Sequence, residues 1–163
     1  MRIIGGASRG LKLADVGAGD AAAHLRPTSD RVREAIFNLL INGGYGSPVQ
    51  GARVLDIFAG TGALGLEALS RGADHTTFVE NGRAALALLT RNIALMRAEG
   101  RITVLRQDAM KPIPPVPYDL VFLDPPYGKG LVPRALAALQ AKGWIAPGAL
   151  IIAETGRDEE NAI

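Results

Sequence analysis

The 163-residue sequence contains no cysteine and only two histidines. The absence of cysteine excludes disulfide bonds and cysteine-ligated metal sites, and it is compatible with a reducing compartment without demonstrating one. No apolar run approaches the ~20 residues that a helix needs to cross a bilayer, and neither an internal repeat nor a low-complexity tract is present. The opening residues, MRIIGGASRG, do not resemble a signal peptide. We therefore expect a cytoplasmic protein without a membrane anchor.

The sequence has no large excess of either charge: it contains 18 lysines and arginines and 16 acidic residues, for a formal net charge of +2. Net charge alone is thus weak evidence for a polyanionic partner, although basic residues crowd the first part of the chain. With 48% hydrophobic residues, the chain is long enough for one domain with a core and too short for two. We predict a single monomeric domain, 1–163, in which an N-terminal extension, 1–45, precedes a core, 46–163.

The chain alternates strand-like and helix-like segments in the order that builds a parallel sheet. Strands are predicted over 52–58, 75–80, 102–106, 118–123 and 149–154, and helices over 63–71, 84–99 and 131–141. The second of these helices places Leu86, Leu89, Ile93 and Met96 on one face. This alternation predicts an α/β fold with a Rossmann-like, doubly wound and mostly parallel sheet, in which ligands bind outside the carboxyl ends of the strands.

The first 45 residues predict a separate hairpin-plus-helix element. Residues 2–13 would form a small hairpin, and the segment LRPTSDRVREAIFNLL would form a helix that is capped within 28–30. On this helix, Val32, Ile36 and Leu39 fall on one face.

The turn after the first predicted strand contains GTGALG, which matches the GxGxxG dinucleotide fingerprint. Such a turn brings the backbone close to a ligand at a helix N-terminus. Asp56 precedes the glycines, and an acid there would repel a pyrophosphate but suits an ammonium group or a sulfonium-bearing amino acid. These features favour S-adenosyl-L-methionine as the cofactor, with Glu80 accepting from both ribose hydroxyls and Asp108 from the adenine amino group. The candidate cofactor residues are Asp56, Phe58, Gly60, Thr61, Gly62, Glu80, Asn81, Asp108 and Ala109. The alternative is that the glycines serve packing and the acids are solvated strand ends.

The fourth predicted strand ends in LDPPYGKG. Asp124 would emerge beside the cofactor, and the prolines would keep the following backbone extended with its carbonyls free to accept. Acceptors from the Asp124 carboxylate and the Pro125 carbonyl favour the nucleophilic form of an exocyclic amine that attacks a sulfonium methyl group. Tyr127 would stack on the base, which is worth ~1–3 kcal/mol. The candidate catalytic residues are Asp124, Pro125, Pro126 and Tyr127. Taken alone, the tetrapeptide is equally compatible with an ordinary Pro-Pro loop.

The segments MRIIGGASRG, LRPTSDRVREAIFNLL, LDIFAGTGALGLEALSRGA, TFVE and FLDPPY, in this order, resemble the RsmD family of bacterial 16S ribosomal RNA guanine-N2 methyltransferases. The resemblance implies a class I S-adenosylmethionine-dependent methyltransferase fold and a guanine of the small-subunit RNA, position 966, as the acceptor. It also implies that the partner is 16S rRNA in the 30S subunit or in its assembly intermediate.

The resemblance further implies that residues of the N-terminal motif contact RNA or order the acceptor pocket. With the other basic candidates, the predicted RNA-binding set is Arg9, Lys12, Arg26, Thr28, Arg31, Arg33 and Lys129. No metal site is expected, because His24 and His75 lack partners at metal-binding spacing. Family members continue into a further antiparallel pair of strands, whereas this sequence stops at RDEENAI, so either this chain omits a tail or the sheet lacks its usual edge.

Other functions remain compatible with the motifs. The DPPY motif specifies the attacked amino group better than the base, so adenine-N6 or cytosine-N4 in DNA is an alternative acceptor. A non-catalytic RNA-binding assembly factor, which would hold the cofactor without turnover, is another. A nicotinamide-dependent dehydrogenase is less compatible because of Asp56.

Overall fold

The structure is a computed structural model that describes residues 1–14, 29–108, 116–124, 133–134, 137 and 145–153. Its helices include α1 (Asp30–Asn42), α2 (Ala63–Ser70) and α3 (Arg83–Met96). Its strands are β1 (Arg53–Ile57), β2 (His75–Val79), β3 (Ile102–Leu105), β4 (Tyr118–Leu123) and β5 (Ile145–Ala153). Of the helix predicted over 131–141, the structure describes residues 133, 134 and 137, which are helical. None of the described helices combines the length and apolarity needed to span a bilayer.

The five strands form one parallel sheet in the order β3-β2-β1-β4-β5. The order reverses at β1 and β4, which are adjacent in space although two strands separate them in the chain. Such a switch point leaves a crevice outside the carboxyl ends of the two strands, where ligands bind in doubly wound folds. The α/β fold and the parallel sheet predicted from the sequence are confirmed.

Both faces of the central strands are buried, as is usual in parallel sheets. Alternate residues of β1 belong to two separate hydrophobic clusters, because successive side chains of a strand point to opposite faces. Val54 packs in the cluster that includes Phe37 and Phe122, whereas Leu55 and Ile57 pack in the second cluster. The resulting rigid sheet fixes the positions of the residues that follow each strand.

The N-terminal residues form the predicted hairpin and pack against α2. Arg2 and Lys12 make an antiparallel bridge, and the side chain of Ile3 is buried in the core. Gly6 has a φ of +81° and lies so close to the backbone of Ser70 that a Cβ atom would collide with it. Glycine is therefore required at this contact, because it alone combines left-handed backbone with no side chain.

Helix α1 begins after Ser29, whose hydroxyl accepts a hydrogen bond from the amide of Val32 at 3.1 Å. The cap thus lies within the predicted range. Of the predicted apolar face, Ile36 packs against the core and the other two residues do not. Val32 and Leu39 are 45% and 52% exposed. The buried residues of α1 are instead Arg33, Phe37 and Leu40. Arg33 faces the interior because its guanidinium group pairs with the buried carboxylate of Glu67 on α2.

Candidate active site

Acidic residues follow the carboxyl ends of the strands, as the sequence predicts. Asp56 lies near the end of β1, Glu80 follows β2, and Asp124 follows β4. These strands are neighbours in the order β2-β1-β4. The negative charges of Asp124 and Glu80 both act on Asp56. The structure therefore brings the three acids together at the switch point, while Asp108 is an exposed residue beyond β3.

Asp56 is a buried carboxylate, only 2% exposed. Its Oδ2 atom accepts a hydrogen bond from the amide of Gly65 at 3.0 Å, and nothing else in the described part of the chain donates to this side chain. Burial raises the pKa of Asp56 well above its ordinary value; the Gly65 hydrogen bond opposes this rise, and the charges of Asp124 and Glu80 add to it. A buried carboxylate without a cationic partner is costly, so this site favours a positively charged ligand.

The turn between β1 and α2 is built from left-handed backbone. Phe58 has a φ of 59°, which is uncommon for a residue with a side chain, and Gly60 and Gly62 have φ values of 59° and 82°. A Cβ atom at Gly60 would meet no atom of the described residues within 4 Å, whereas one at Gly62 or Gly65 would collide with core side chains. Gly62 and Gly65 thus serve packing, while Gly60 borders open space that a ligand could enter.

Glu80 holds this turn with both oxygens of its carboxylate. Oε1 accepts from the amide of Gly60 at 2.8 Å, and Oε2 accepts from the amides of Asn81 and Gly82 at 3.1 and 2.8 Å. The side chain therefore joins the glycine turn to the start of α3. Because a carboxylate has about four lone-pair sites and three are occupied by these amides, Glu80 retains about one site for a ligand hydroxyl.

Arg33 does not lie where an RNA contact requires, and this prediction is corrected. Its side chain is completely buried, with Nε 3.2 Å from Oε1 of Glu67 and Nη2 2.8 Å from Oδ1 of Asp30. Partial burial alone would raise the pKa of Asp30, but hydrogen bonds from the Arg2 amide and the Arg33 guanidinium, together with the positive charges of Arg33 and the N-terminus, hold it below its ordinary value. The predicted RNA-binding residues that the structure does place on the surface are Arg9, Lys12 and Arg31.

Glu67 is the centre of a buried cluster that the sequence analysis missed. Its carboxylate accepts from the amides of Ile4 and Gly5 at 2.9 and 3.0 Å and from the guanidinium groups of Arg33 and Arg71 at 3.2 and 2.7 Å. The cluster fastens the N-terminal hairpin and α1 to α2. A signal was available in LGLEALS, where one acid interrupts an otherwise apolar helix.

The remaining predicted site residues lie outside the described residues. They are Ala109, Pro125, Pro126, Tyr127, Lys129, Arg26 and Thr28. Asp124 is described and half-buried at the end of β4, so the acceptor motif begins at the predicted edge of the sheet.

Residues 1–162 match the model of a family described as conserved hypothetical protein 95. The chain is 44% identical over 158 residues to ribosomal RNA small subunit methyltransferase D of Escherichia coli K12, a match that covers 95% of this chain and 74% of that protein. It is 36% identical over 164 residues to the Haemophilus influenzae protein of the same name, covering 98% and 80% of the two chains.

Solved structures agree with these sequence matches. The Escherichia coli protein yhhF superposes with a TM-score of 0.77 at 41% identity, covering 93% of this chain and 78% of that one. The C-terminal domain of precorrin-6Y C5,15-methyltransferase from Rhodobacter capsulatus has a TM-score of 0.62 at 22% identity, with coverage of 83% and 65%, and this shows the fold alone. With a class I methyltransferase fold and these relatives, the chain belongs to the RsmD family and is a methyltransferase.

Proposed function

We propose that the protein transfers a methyl group from S-adenosyl-L-methionine to the N2 amine of a guanine in 16S rRNA, guanine 966. The observation that carries this proposal is the buried Asp56 carboxylate, which has a single described donor and lies at the switch point with Glu80 and Asp124. The relatives named as small-subunit rRNA methyltransferases support the choice of RNA as the substrate.

The residues at the switch point fit the proposed cofactor. Asp56 offers a buried carboxylate oxygen to an ammonium group, Gly60 leaves space beside the turn, and Glu80 retains an acceptor site for a ribose hydroxyl. When bound, S-adenosyl-L-methionine supplies a methyl group on a positively charged sulfur atom. Three nearby carboxylates favour binding of such a cation, and the raised pKa of Asp56 would fall again when the cation pairs with it.

Asp124 is the residue proposed to hold the acceptor amine. The lone pair of an exocyclic amine is delocalised into the base, and a carboxylate that accepts its hydrogens favours the nucleophilic form. As the new nitrogen–carbon bond forms, the bond between the methyl carbon and the sulfonium sulfur would break and S-adenosylhomocysteine would leave. Positive charge would develop on the nitrogen until it loses a proton to solvent. Asp124 stabilises that charge from a fixed position at the end of β4. In-line alignment of amine and methyl group supplies much of the acceleration.

Residues outside the described part of the chain complete the proposed acceptor site. Pro125 would accept through its carbonyl, and Tyr127 would stack on the base and offset part of the energy needed to unstack it. Arg9, Lys12 and Arg31, which are exposed on the N-terminal extension, are proposed to contact RNA phosphates. The proposed partner is the 30S subunit or its assembly intermediate, and the proposed acting unit is a monomer.

The test is transfer of labelled methyl groups to 30S subunits that lack the modification, with protein-free 16S rRNA and duplex DNA alongside. Label in N2-methylguanine of the RNA is expected. Label only in N6-methyladenine or N4-methylcytosine of DNA would overturn the substrate and leave the cofactor standing. No transfer, with cofactor binding intact, would favour the non-catalytic assembly factor.

A matched pair of variants assigns the transfer to the proposed site. Asp124→Asn removes the charge at the carboxyl end of β4, and Asp119→Asn removes one at its amino end, where the side chain accepts from the Arg53 amide at 2.9 Å. We expect the rate of methyl transfer to fall at least about 100-fold only in the first variant, in line with the loss of a positioned electrostatic group. Equal rates in both variants would overturn the role of Asp124.

A further inference from the structure

Asn92 is a completely buried polar residue in the middle of α3. Its side-chain amide donates to the carbonyl of Ala14 and to the carbonyl of Thr61, each at 2.9 Å. Its Oδ1 atom accepts from the amide of Ala14 at 2.7 Å. One side chain thus joins three elements, namely α3, the glycine turn and the end of the N-terminal hairpin.

These contacts set Asn92 apart from the rest of the buried face of α3, which is otherwise apolar. The face consists of Ala85, Leu89, Ile93 and Met96 besides Asn92. Asparagine is a poorer helix former than leucine, and burial of its amide is costly unless the amide is hydrogen-bonded. The side-chain amide of Asn92 forms its hydrogen bonds with backbone groups alone, and these belong to two segments that are remote in sequence.

The Thr61 carbonyl lies in a turn whose backbone needs support, because Thr61 stands between two glycines with left-handed backbone. Glycine loses more conformational freedom on ordering than any other residue. The Thr61 hydroxyl also lies 3.8 Å from the sulfur of Met1, so the turn contacts the N-terminal residues at a second point. Fixing the Thr61 carbonyl restricts the backbone between Gly60 and Gly62, and Gly60 borders the space proposed for the cofactor.

We infer that Asn92 is a positioning residue for cofactor binding: it holds the glycine turn in its binding conformation and ties that turn to Ala14 at the end of the N-terminal hairpin. This inference rests on the proposed function, since it concerns affinity for the proposed cofactor. Asn92 does not itself touch the open space at Gly60; it acts through the Thr61 carbonyl.

The experiment measures the dissociation constant of S-adenosylhomocysteine by calorimetry and the melting temperature of the same samples. Asn92→Ala removes all of the contacts. Asn92→Asp keeps the size and the acceptor for the Ala14 amide but loses the donor to Thr61, and it serves if the alanine variant does not fold. Met96→Ala is the control, because Met96 is buried on the same helix one turn further on and forms none of these hydrogen bonds.

We expect each Asn92 variant to bind S-adenosylhomocysteine about tenfold more weakly, the effect of losing the buried hydrogen bond to the Thr61 carbonyl. The KM for S-adenosylmethionine should rise by a similar factor with a smaller change in kcat. Met96→Ala should lower the melting temperature and leave the dissociation constant within about twofold. An Asn92 variant that melts earlier but binds as tightly as the unsubstituted protein would overturn the inference and leave the proposed function intact. Failure of the unsubstituted protein to bind would overturn both.

Discussion

Glu67 and Asp56 are both buried carboxylates. Glu67 belongs to α2 and Asp56 contacts it, but the described chain supplies the two carboxylates with very different numbers of donors. Glu67 accepts from two backbone amides and two guanidinium groups. Asp56 accepts from one backbone amide among the described residues and has two acidic neighbours. The donors of the Glu67 carboxylate thus come from the chain itself, whereas Gly65 alone among the described residues donates to Asp56.

The comparison shows how burial of the same chemical group can serve folding or binding. A buried charge whose donors all come from the chain joins segments and is strongly destabilising to break. A buried charge with few donors lowers stability, and pairing with a cationic ligand recovers part of that free energy. Local rules are most often violated at functional sites, and Asp56 is such a violation.

Substitution of Glu67 should have the largest effect on stability. Glu67→Ala leaves Arg33 buried without its main partner and removes the acceptor from the amides of Ile4 and Gly5. We expect the free energy of unfolding to fall by about 3–5 kcal/mol, measured by denaturant titration. The control is Glu34→Ala on the exposed face of α1, which should change it by less than about 0.5 kcal/mol. Similar losses in both variants would show that the cluster is not the main link.

Asp56→Asn should have the opposite effect on stability and a large effect on binding. The pKa of Asp56 is raised in the folded protein, so its contribution to stability is present below the ordinary value of 3.8 and lost as the pH rises through the folded-state pKa. The variant should therefore be more stable than the unsubstituted protein at neutral pH, with the difference vanishing as the pH falls towards 3.8. Its affinity for S-adenosylhomocysteine should fall about 10–100-fold, the loss of a charged hydrogen bond.

Unfolding titrations across the pH range, with and without S-adenosylhomocysteine, measure both effects of Asp56→Asn. The control is Asp119→Asn, since Asp119 is exposed at the amino end of β4. It should show neither the gain in stability nor the loss of binding. A stability difference that does not depend on pH would contradict the assignment of a raised pKa to Asp56.

Gly60→Ala tests whether the cofactor occupies the space beside the glycine turn. Gly60 and Gly44 both have left-handed backbone, with φ values of 59° and 87°, and a Cβ atom at either would meet no atom within 4 Å. Alanine at either position should lower the free energy of unfolding by about 1–2 kcal/mol. Only Gly60→Ala should also weaken binding of S-adenosylhomocysteine, measured by calorimetry. Equal binding by both variants would place the cofactor away from Gly60.

Neutralisation of a surface arginine should have the smallest effect. Arg31→Ala should weaken binding to 16S rRNA a few-fold and reduce the slope of log affinity against log salt by about 1 unit, as for loss of one phosphate contact. Arg101→Ala is the control, because Arg101 donates to the Ala73 carbonyl near the amino ends of β2 and β3. Identical salt slopes for both variants would exclude Arg31 as a phosphate contact.

Much of the sheet was predictable because strand signals are local. Strand β4 has the predicted bounds, and β1, β2 and β3 differ by a residue at their ends. Strand β5 begins at Ile145 rather than at 149. Pro147 and Gly148 resemble strand breakers in the sequence, but β5 pairs only with β4 among the described strands. An edge position tolerates a proline because its missing amide donor need not face a neighbour.

The inward face of α1 was not predictable by the same rule. Periodicity assigns apolar residues to the core, which favoured Val32 and Leu39, yet Arg33 is the buried residue. The reason lies in Glu67, which comes from another helix and can pair with the guanidinium only after the chain has folded.

The sequence by itself determined the order of strands and helices, the glycine turn and the acids that follow the strands, because these depend on neighbouring residues and on side-chain periodicity. Only the tertiary structure decided which buried polar groups have partners. Glu67 is satisfied by Ile4, Gly5 and Arg33, and Asn92 by Ala14, all from remote parts of the chain. Asp56 receives no such partner from the described residues. Hydrogen bonding between remote segments is a property of the folded chain, and it separates the acid that holds the fold from the acid proposed to bind the cofactor.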